Sequence, residues 1–222
     1  MPCSGNSNHP LMKDFLKPVP ELDFDASAHK YRYKGKWLPL SPSTVLSYQL
    51  SEHAKKCIED TRDGPDGWEV RGNTLHQCLE QYLRGAAELS PGDFGAWWEP
   101  LRDSWLWQGA TVLGVELRMT DMKLMGGSCD FVIKKDDQVI LGDLKTVASE
   151  KAVNTRKPAT AQLGAYMMML SKCYPKLKID KCVTVVAGPG RTRVITDDPD
   201  QCWIAWEHAQ GLYQAHVDGL GF

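Results

Sequence analysis

The spacing of apolar residues predicts its clearest helix between Trp68 and Leu83. Leu75, Leu79 and Leu83 recur every four residues, which places all three on one stripe of a helix. His76 lies beside this stripe. We therefore predict a helix that buries its leucines and carries His76 at the edge of the buried face. A histidine in that position has either a structural or a functional role.

A second pattern, of β-branched runs on both sides of a charged turn, lies between Gly126 and Thr146. The turn is Lys134–Gln138, and such an arrangement is typical of a β-hairpin. Residues two apart in a strand share a face, so Asp143 and Lys145 continue a face that begins with Val139 and Leu141. The upstream strand would bring Asp130 close to them.

The remaining pattern completes an α/β domain with a central mixed sheet flanked by helices. The polar, proline-containing residues 1–20 predict a flexible N-terminal tail, and 21–222 a single domain. We predict a long loop over Thr146–Thr160 that closes over a substrate. The other predicted elements are a hairpin over 22–38, a helix start at Ser41–Thr44, an aromatic-rich helix over 93–108, strands at 112–119, 182–187 and 191–196, and helices at 159–170 and 199–217.

Composition places the chain among ordinary globular proteins, with 42% apolar and 24% charged residues in 222. No apolar run reaches the ~20 residues that span a bilayer, and the N-terminus lacks the basic-then-apolar pattern of a signal peptide. We expect a cytoplasmic protein without membrane contact. The seven cysteines are scattered without a Cys-x-x-Cys pair, which favours reduced, buried thiols.

Charge is distributed unevenly along the chain, although the net charge is only −2. Residues 134–193 hold 12 basic and 5 acidic residues, whereas the remainder holds 14 and 23. A basic segment is expected where a protein binds phosphates. The alternative is a solvated surface that happens to be basic.

Two aspartates and a lysine are the candidate chemical groups. Asp130, Asp143 and Lys145 would form a site for a hard cation such as Mg²⁺, which prefers oxygen ligands. An acid-x-Lys pair by itself has little specificity, because the chain holds a second one at Asp121–Lys123 that we interpret as a solvated turn. The pair at Asp143 and Lys145 differs in following a strand.

The order of these motifs resembles the RecB-type branch of the PD-(D/E)XK nucleases, in particular phage exonucleases and the mitochondrial genome maintenance exonuclease. An earlier segment, His29–Leu46, is similar to their N-terminal hairpin and the segment after it, although Pro42 replaces the usual valine. The resemblance covers residues 28–190. Its motifs are Arg71-Gly-x-x-x-His76, Gly-x-x-x-Asp130, Asp143-Leu-Lys145-Thr146 and Gln162-x-x-x-Tyr166.

The resemblance implies a restriction-endonuclease-like fold and Mg²⁺- or Mn²⁺-dependent hydrolysis of DNA from its ends. Asp130 and Asp143 would bind the metal together with His76 and the Leu144 carbonyl. Lys145 would orient the attacking water or stabilise charge on the phosphate. Glu116 is open: it joins the metal site, pairs with Arg118 or faces solvent.

DNA would be held by six further residues, and Gln162 and Tyr166 have a second possible role in supporting Lys145. A single-strand annealing or other recombination protein is an expected partner, and no iron–sulfur cluster is expected from the cysteine spacing. The alternatives are an endonuclease, a non-catalytic nucleic-acid-binding domain and a metal-binding scaffold. The expected DNA contacts are Arg71, Thr146, Arg156, Lys157, Gln162 and Tyr166.

Overall fold

Two β-sheets and the helices packed on them form the part of the chain that the structure, a computed structural model, describes: residues 11–12, 15–64, 67–86 and 89–219. The strands are β1 (Leu11–Met12), β2 (Leu22–Asp25), β3 (Lys30–Tyr33), β4 (Lys36–Trp37), β5 (Thr111–Thr120), β6 (Gly126–Lys135), β7 (Gln138–Thr146), β8 (Lys181–Gly188) and β9 (Arg191–Asp197). The α-helices are α1 (Pro42–Ser47), α2 (Glu52–Asp60), α3 (Trp68–Leu83), α4 (Gly95–Arg102), α5 (Glu150–Thr155), α6 (Thr160–Cys173) and α7 (Pro199–Gly219).

Over the described residues the large sheet is mixed and has the strand order β1-β5-β6-β7-β8-β9. The pairs β1–β5 and β7–β8 are parallel and the others are antiparallel. One face packs on α3 and α4, and the other on α1, α6 and α7. The predicted α/β domain with a central mixed sheet flanked by helices is confirmed. The small sheet has the order β2-β3-β4.

The hairpin β6–β7 forms as predicted. Lys135 pairs with Gln138, and the two residues between them, Asp136 and Asp137, have φ of 48° and 60°. Positive φ at both positions is the conformation of a type I′ turn, whose twist matches that of the strands. Aspartate tolerates this conformation better than most residues, which explains why no glycine is needed.

The predicted faces of β7 and α3 are also confirmed. Ile140 and Leu144 pack on the α3 side of the sheet, whereas Leu141 packs on the α6 side. Helix α3 has the predicted bounds, and its stripe of leucines is at most 2% exposed. Burial of each such side chain stabilises the fold by about 1.5–3 kcal/mol.

Two predicted elements differ from those observed, and one observed helix was not predicted. The loop predicted over Thr146–Thr160 contains α5, whose N-terminus is capped where Ser149 Oγ accepts the Ala152 N–H. The helix predicted over 93–108 is α4 between two 3₁₀ turns, Gly92–Phe94 and Trp105–Trp107. Helix α2 was not predicted; it buries none of its residues, and its apolar positions are only Ala54, Cys57 and Ile58.

The predicted flexible tail is only partly described, since residues 1–10 and 13–14 lie outside the described ranges. From residue 15 onward the predicted tail lies against the domain. The Leu16 N–H donates to the Leu113 carbonyl (2.7 Å), and the Tyr174 hydroxyl donates to the Lys17 carbonyl (2.7 Å). Phe15 packs against the core on the α3 side. No helix in the described ranges is both long and apolar enough to cross a membrane.

Candidate functional site

An irregularity in the central sheet sets the position of Glu116. The β5–β6 ladder pairs Val115 with Phe131 and Leu117 with Cys129, and Glu116 and Asp130 fall between these pairs. Glu116 has φ of 46°, a left-handed conformation that is uncommon for a residue with a side chain. Ordinary alternation would put Val115 and Leu117 on one face, yet they pack on opposite faces. The backbone turn at Glu116 accounts for this switch.

A second irregularity places Asp130 beside the C-terminal end of β7. Pairing between β6 and β7 ends at Phe131 and Gly142. Beyond that pair the Asp130 carboxylate accepts the Leu144 N–H, in place of a carbonyl from the neighbouring strand. Because the N–H and C=O of a strand residue point toward the same neighbour, the Leu144 carbonyl also points to the Asp130 side.

Helix α3 brings His76 to these two carboxylates. His76 Nδ1 lies 3.4 Å from Asp130 Oδ1 and 3.8 Å from Glu116 Oε1. One ligand atom from each of the three side chains lies within 4.8 Å of the other two. The His76 and Glu116 side chains are about one-third exposed, and Asp130 is 10% exposed. The three therefore form a cluster at the wall of a cleft.

Charges within the cluster perturb one another. Burial disfavours the charged imidazole, but the carboxylates of Asp130 and Glu116 outweigh it and raise the pKa of His76 to about 10. Burial likewise raises the pKa of Asp130, and the charge of His76 outweighs it, so this pKa is lowered. Burial and the charge of Asp130 raise the pKa of Glu116. The two carboxylates thus favour a positive charge at the position of the imidazole.

Asp143 begins a chain of polar contacts next to the cluster. Asp143 is 1% exposed, and its Oδ2 lies 2.8 Å from Lys145 Nζ. The two groups form an ion pair. Lys145 Nζ donates to Gln162 Oε1 (2.9 Å), and Gln162 Nε2 donates to the Tyr166 hydroxyl (2.5 Å). Burial and repulsion from Asp130 raise the pKa of Asp143 despite Lys145.

A cleft of about 530 Å³ opens in front of the cluster. Helix α3 forms one wall, and the small sheet forms another through Phe24, His29 and Tyr31. The hydroxyls of Tyr31 and Ser128 lie 3.1 Å apart, which ties the small sheet to β6. The site is thus bordered by both sheets.

The predicted site residues separate into three groups. Glu116, left open by the sequence, belongs to the cluster, and Arg118 instead lies over the Phe24 ring (5.5 Å from its centre). Asp143 adjoins the cluster but is not one of its three tightly grouped members. Gln162 contacts both Lys145 and Tyr166, and Gln162 and Tyr166 also line the cleft, so this placement is compatible with both predicted roles, support of Lys145 and contact with DNA.

The predicted DNA contacts are placed less uniformly. Thr146 and Arg156 line a second hollow on the other side of His76, and Lys157 is exposed on the segment after α5. Arg71 is 4% exposed within α3 and lines neither hollow, and its contact with DNA stays a prediction. Sequence reasoning did not identify Asn73, which lines both hollows three residues before His76.

Comparison with known proteins adds little to this geometry. No protein-family model matches the chain, and no curated protein matches it. Solved structures similar to it include the crystal structure of SSO0001, with a TM-score of 0.39 and 17% identity over 78% of this chain and 75% of that one. A TM-score this low does not establish a shared fold.

Proposed function

We propose that this protein is a divalent-metal-dependent nuclease that hydrolyses DNA phosphodiester bonds on a PD-(D/E)XK-type core of the RecB branch. The observation that supports this most is the convergence of His76, Glu116 and Asp130 at one cleft, with Asp143 and Lys145 directly beside them. These groups are far apart in sequence, so the fold rather than a local motif brings them together.

The donor set fits a hard divalent cation. Carboxylate oxygens and an imidazole nitrogen are suitable ligands, and the three atoms are close enough to share one ion. Asp143 is buried next to this donor set, and the ammonium of Lys145, 2.8 Å from its Oδ2, balances its charge. Asp130, Glu116 and His76 would hold the ion, with Asp143 and the Leu144 carbonyl next to it.

A divalent cation bound there supplies a Lewis acid for the phosphate and lowers the pKa of a water molecule. The protein's own contribution comes from Lys145. Asp143 and Gln162 both contact its ammonium group, so the positive charge has a fixed position beside the cluster, at the edge of the second hollow. An ammonium in a fixed position stabilises negative charge that develops on a phosphate, because it need not reorganise during the reaction.

Positioning of that ammonium depends on Gln162 and Tyr166. Tyr166 is buried (5% exposed), and its hydroxyl accepts a hydrogen bond from the Gln162 amide, whose oxygen accepts from Lys145. Thr146, Arg156 and Lys157 lie on the strand end and loop that follow, where hydroxyl and cationic groups would contact the DNA backbone.

Action at DNA ends is the form of the activity that the family resemblance favours, together with a role beside a single-strand annealing or other recombination protein. The test is the release of nucleotides from end-labelled single- and double-stranded DNA with and without Mg²⁺. Degradation of linear DNA only would support an exonuclease. Cutting of closed circles would instead favour an endonuclease.

A variant of the site separates this proposal from nucleic-acid binding without catalysis. Asp143→Ala should abolish Mg²⁺-dependent cleavage and leave salt-sensitive DNA binding largely intact, since cationic side chains supply most of that affinity. Wild-type cleavage by this variant would refute the site. Binding by the wild-type protein without cleavage in Mg²⁺ or Mn²⁺ would refute the nuclease and favour a binding domain.

A further inference from the structure

The second hollow lies on the opposite side of His76 from the first cleft. Asn73 and His76 line both, so the two spaces meet at the metal-ligand cluster. The second hollow has a volume of about 650 Å³, within the ~300–1,000 Å³ typical of small-molecule sites, and therefore has room for a nucleotide. A strand that crosses the cluster through the first cleft would continue into it.

One wall of this hollow is an exposed and fixed aromatic ring. Trp68 begins α3 and is 38% exposed, and its Nε1–H donates to the Ile58 carbonyl (2.7 Å). That hydrogen bond holds the indole against the end of α2. Ile58 is itself 43% exposed and lines the same space. An exposed aromatic side chain held in this way is a ready surface for stacking.

The other wall is polar and cationic. It consists of the end of β7, with Lys145 and Thr146, and of Arg156 after α5. Arg156 forms no ion pair within the described ranges, so its charge is available to a ligand. Glu69 also lines the hollow, but Arg62 binds its carboxylate through two hydrogen bonds (2.9 and 3.0 Å). The acid is therefore neutralised and does not repel a phosphate.

We propose that this hollow binds one nucleotide of single-stranded DNA next to the bond that is cut, with the base stacked on Trp68 and its phosphate near Arg156. An aromatic ring opposite cationic groups is the arrangement with which proteins hold single strands, because every base offers a flat face. A base in a duplex is already stacked on its neighbours and cannot offer that face. The inference rests on the proposed nuclease function and assigns its substrate as a single strand.

The test compares Trp68→Ala with Trp105→Ala. Trp105 is a matched control because it is 55% exposed, has Lys135 Nζ 5.8 Å from its ring centre, and lines neither hollow. Binding of a short fluorescent oligothymidine is measured by anisotropy in the Asp143→Asn background, so that cleavage does not consume the probe. We expect Trp68→Ala to weaken binding at least about fivefold and Trp105→Ala to leave it unchanged.

A second probe isolates the base from the backbone. An abasic oligomer of the same length should bind the Trp68-containing protein at least about fivefold less tightly than oligothymidine, and Trp68→Ala should lose this distinction. Trp68→Phe keeps an aromatic ring but loses the hydrogen bond to Ile58. It should retain most of the difference in affinity between the two oligomers. The ratio of the two affinities remains informative even if Trp68→Ala lowers stability, because both oligomers are measured on the same protein sample.

Two results would overturn the inference: equal oligothymidine binding by Trp68→Ala and the wild-type sequence, or equal losses for oligothymidine and the abasic oligomer. Either result could coexist with Mg²⁺-dependent cleavage by the wild-type protein, in which case the nuclease proposal survives. Absence of both cleavage and DNA binding in the wild-type protein would refute the two together.

Discussion

The two ends of the β6–β7 hairpin differ in how their backbone groups are satisfied. Near the turn, from Phe131 and Gly142 to Lys135 and Gln138, the strands pair with each other residue by residue. At the open end, beyond Phe131 and Gly142, the strands no longer pair. There the Asp130 side chain accepts a hydrogen bond from the Leu144 N–H, which has no backbone partner on β6. The regular end has apolar side chains on both faces, whereas the open end carries the acids of the candidate site.

This difference indicates how a buried sheet accommodates an ion-binding cluster. A regular ladder satisfies its own backbone and offers no polar atom to a ligand. Where the strands part, side chains must replace the missing partners, and carboxylates and carbonyls then face a common space. The regular end is correspondingly intolerant of change: a Cβ on Gly142 would lie 1.8 Å from the Phe131 ring.

The largest effect is expected from Asp130, which has both a backbone and a proposed metal-binding role. Asp130→Asn keeps an oxygen for the Leu144 N–H but removes the charge, so cleavage should fall by at least about 10²–10³-fold with little loss of stability. Asp130→Ala should lose cleavage equally and also be about 1–3 kcal/mol less stable than Asp130→Asn, because it leaves a buried N–H without an acceptor. Initial cleavage rates and urea unfolding measure the two effects.

Identical unfolding free energies for the Asn and Ala variants would show that the Asp130 carboxylate does not replace a strand partner. Cleavage by Asp130→Asn near the wild-type rate would remove Asp130 from the metal site.

The two sides of helix α3 allow a second separation of stability from activity. Leu75 is fully buried, so Leu75→Ala should lower the free energy of unfolding by about 2–5 kcal/mol. The side chain of the adjacent His76 is 32% exposed, so its removal leaves no closed cavity. His76→Ala should lose less stability than Leu75→Ala but nearly all cleavage. Parallel losses of stability and activity in the two variants would contradict a specific role for His76.

The parts of the fold that could be predicted from the sequence are those with a periodic pattern of apolar residues. The bounds of α3, the hairpin β6–β7 and the faces of β7 follow from spacings of 3.6 and 2 residues, which local packing enforces. Helix α2 buries none of its side chains and α5 only Val153, and each has too few apolar residues to establish a period. The sequence does contain the N-cap residue of α5, Ser149, followed by an acidic residue, but the same pair of residue types also occurs in loops.

The site was predictable to the extent that it lies on regular elements. Asp143 and Lys145 on β7, and Gln162 and Tyr166 one turn apart on α6, follow from periodicity together with the family resemblance. The position of Glu116 depends on its positive φ, and no glycine or other local signal indicates that irregularity. The burial of Arg71 depends on tertiary packing, which a single sequence does not report.

A smaller effect is expected at Gln162, which joins Lys145 to Tyr166. Gln162→Leu keeps the helix and much of the volume but removes the acceptor for the Lys145 ammonium. Cleavage should fall roughly tenfold, since Asp143 still holds Lys145 from the other side. The control is Gln214→Leu on α7, where the glutamine donates to exposed Asp218 (2.7 Å). Unchanged cleavage in Gln162→Leu would show that Lys145 needs no second support.

The smallest effect concerns the backbone at Glu116, where the open end is most irregular. Glu116→Ala and Glu116→Gly remove the same carboxylate, so cleavage should fall equally in both. They differ in the left-handed φ of 46°, which strains alanine by about 1–2 kcal/mol and glycine hardly at all. Glycine has the greater conformational freedom in the unfolded chain, which offsets part of that difference. We therefore expect Glu116→Gly to be more stable than Glu116→Ala by about 1 kcal/mol in urea unfolding. The reverse order would mean that the strand is regular at Glu116, and the site would then lose the distortion that turns this acid toward His76.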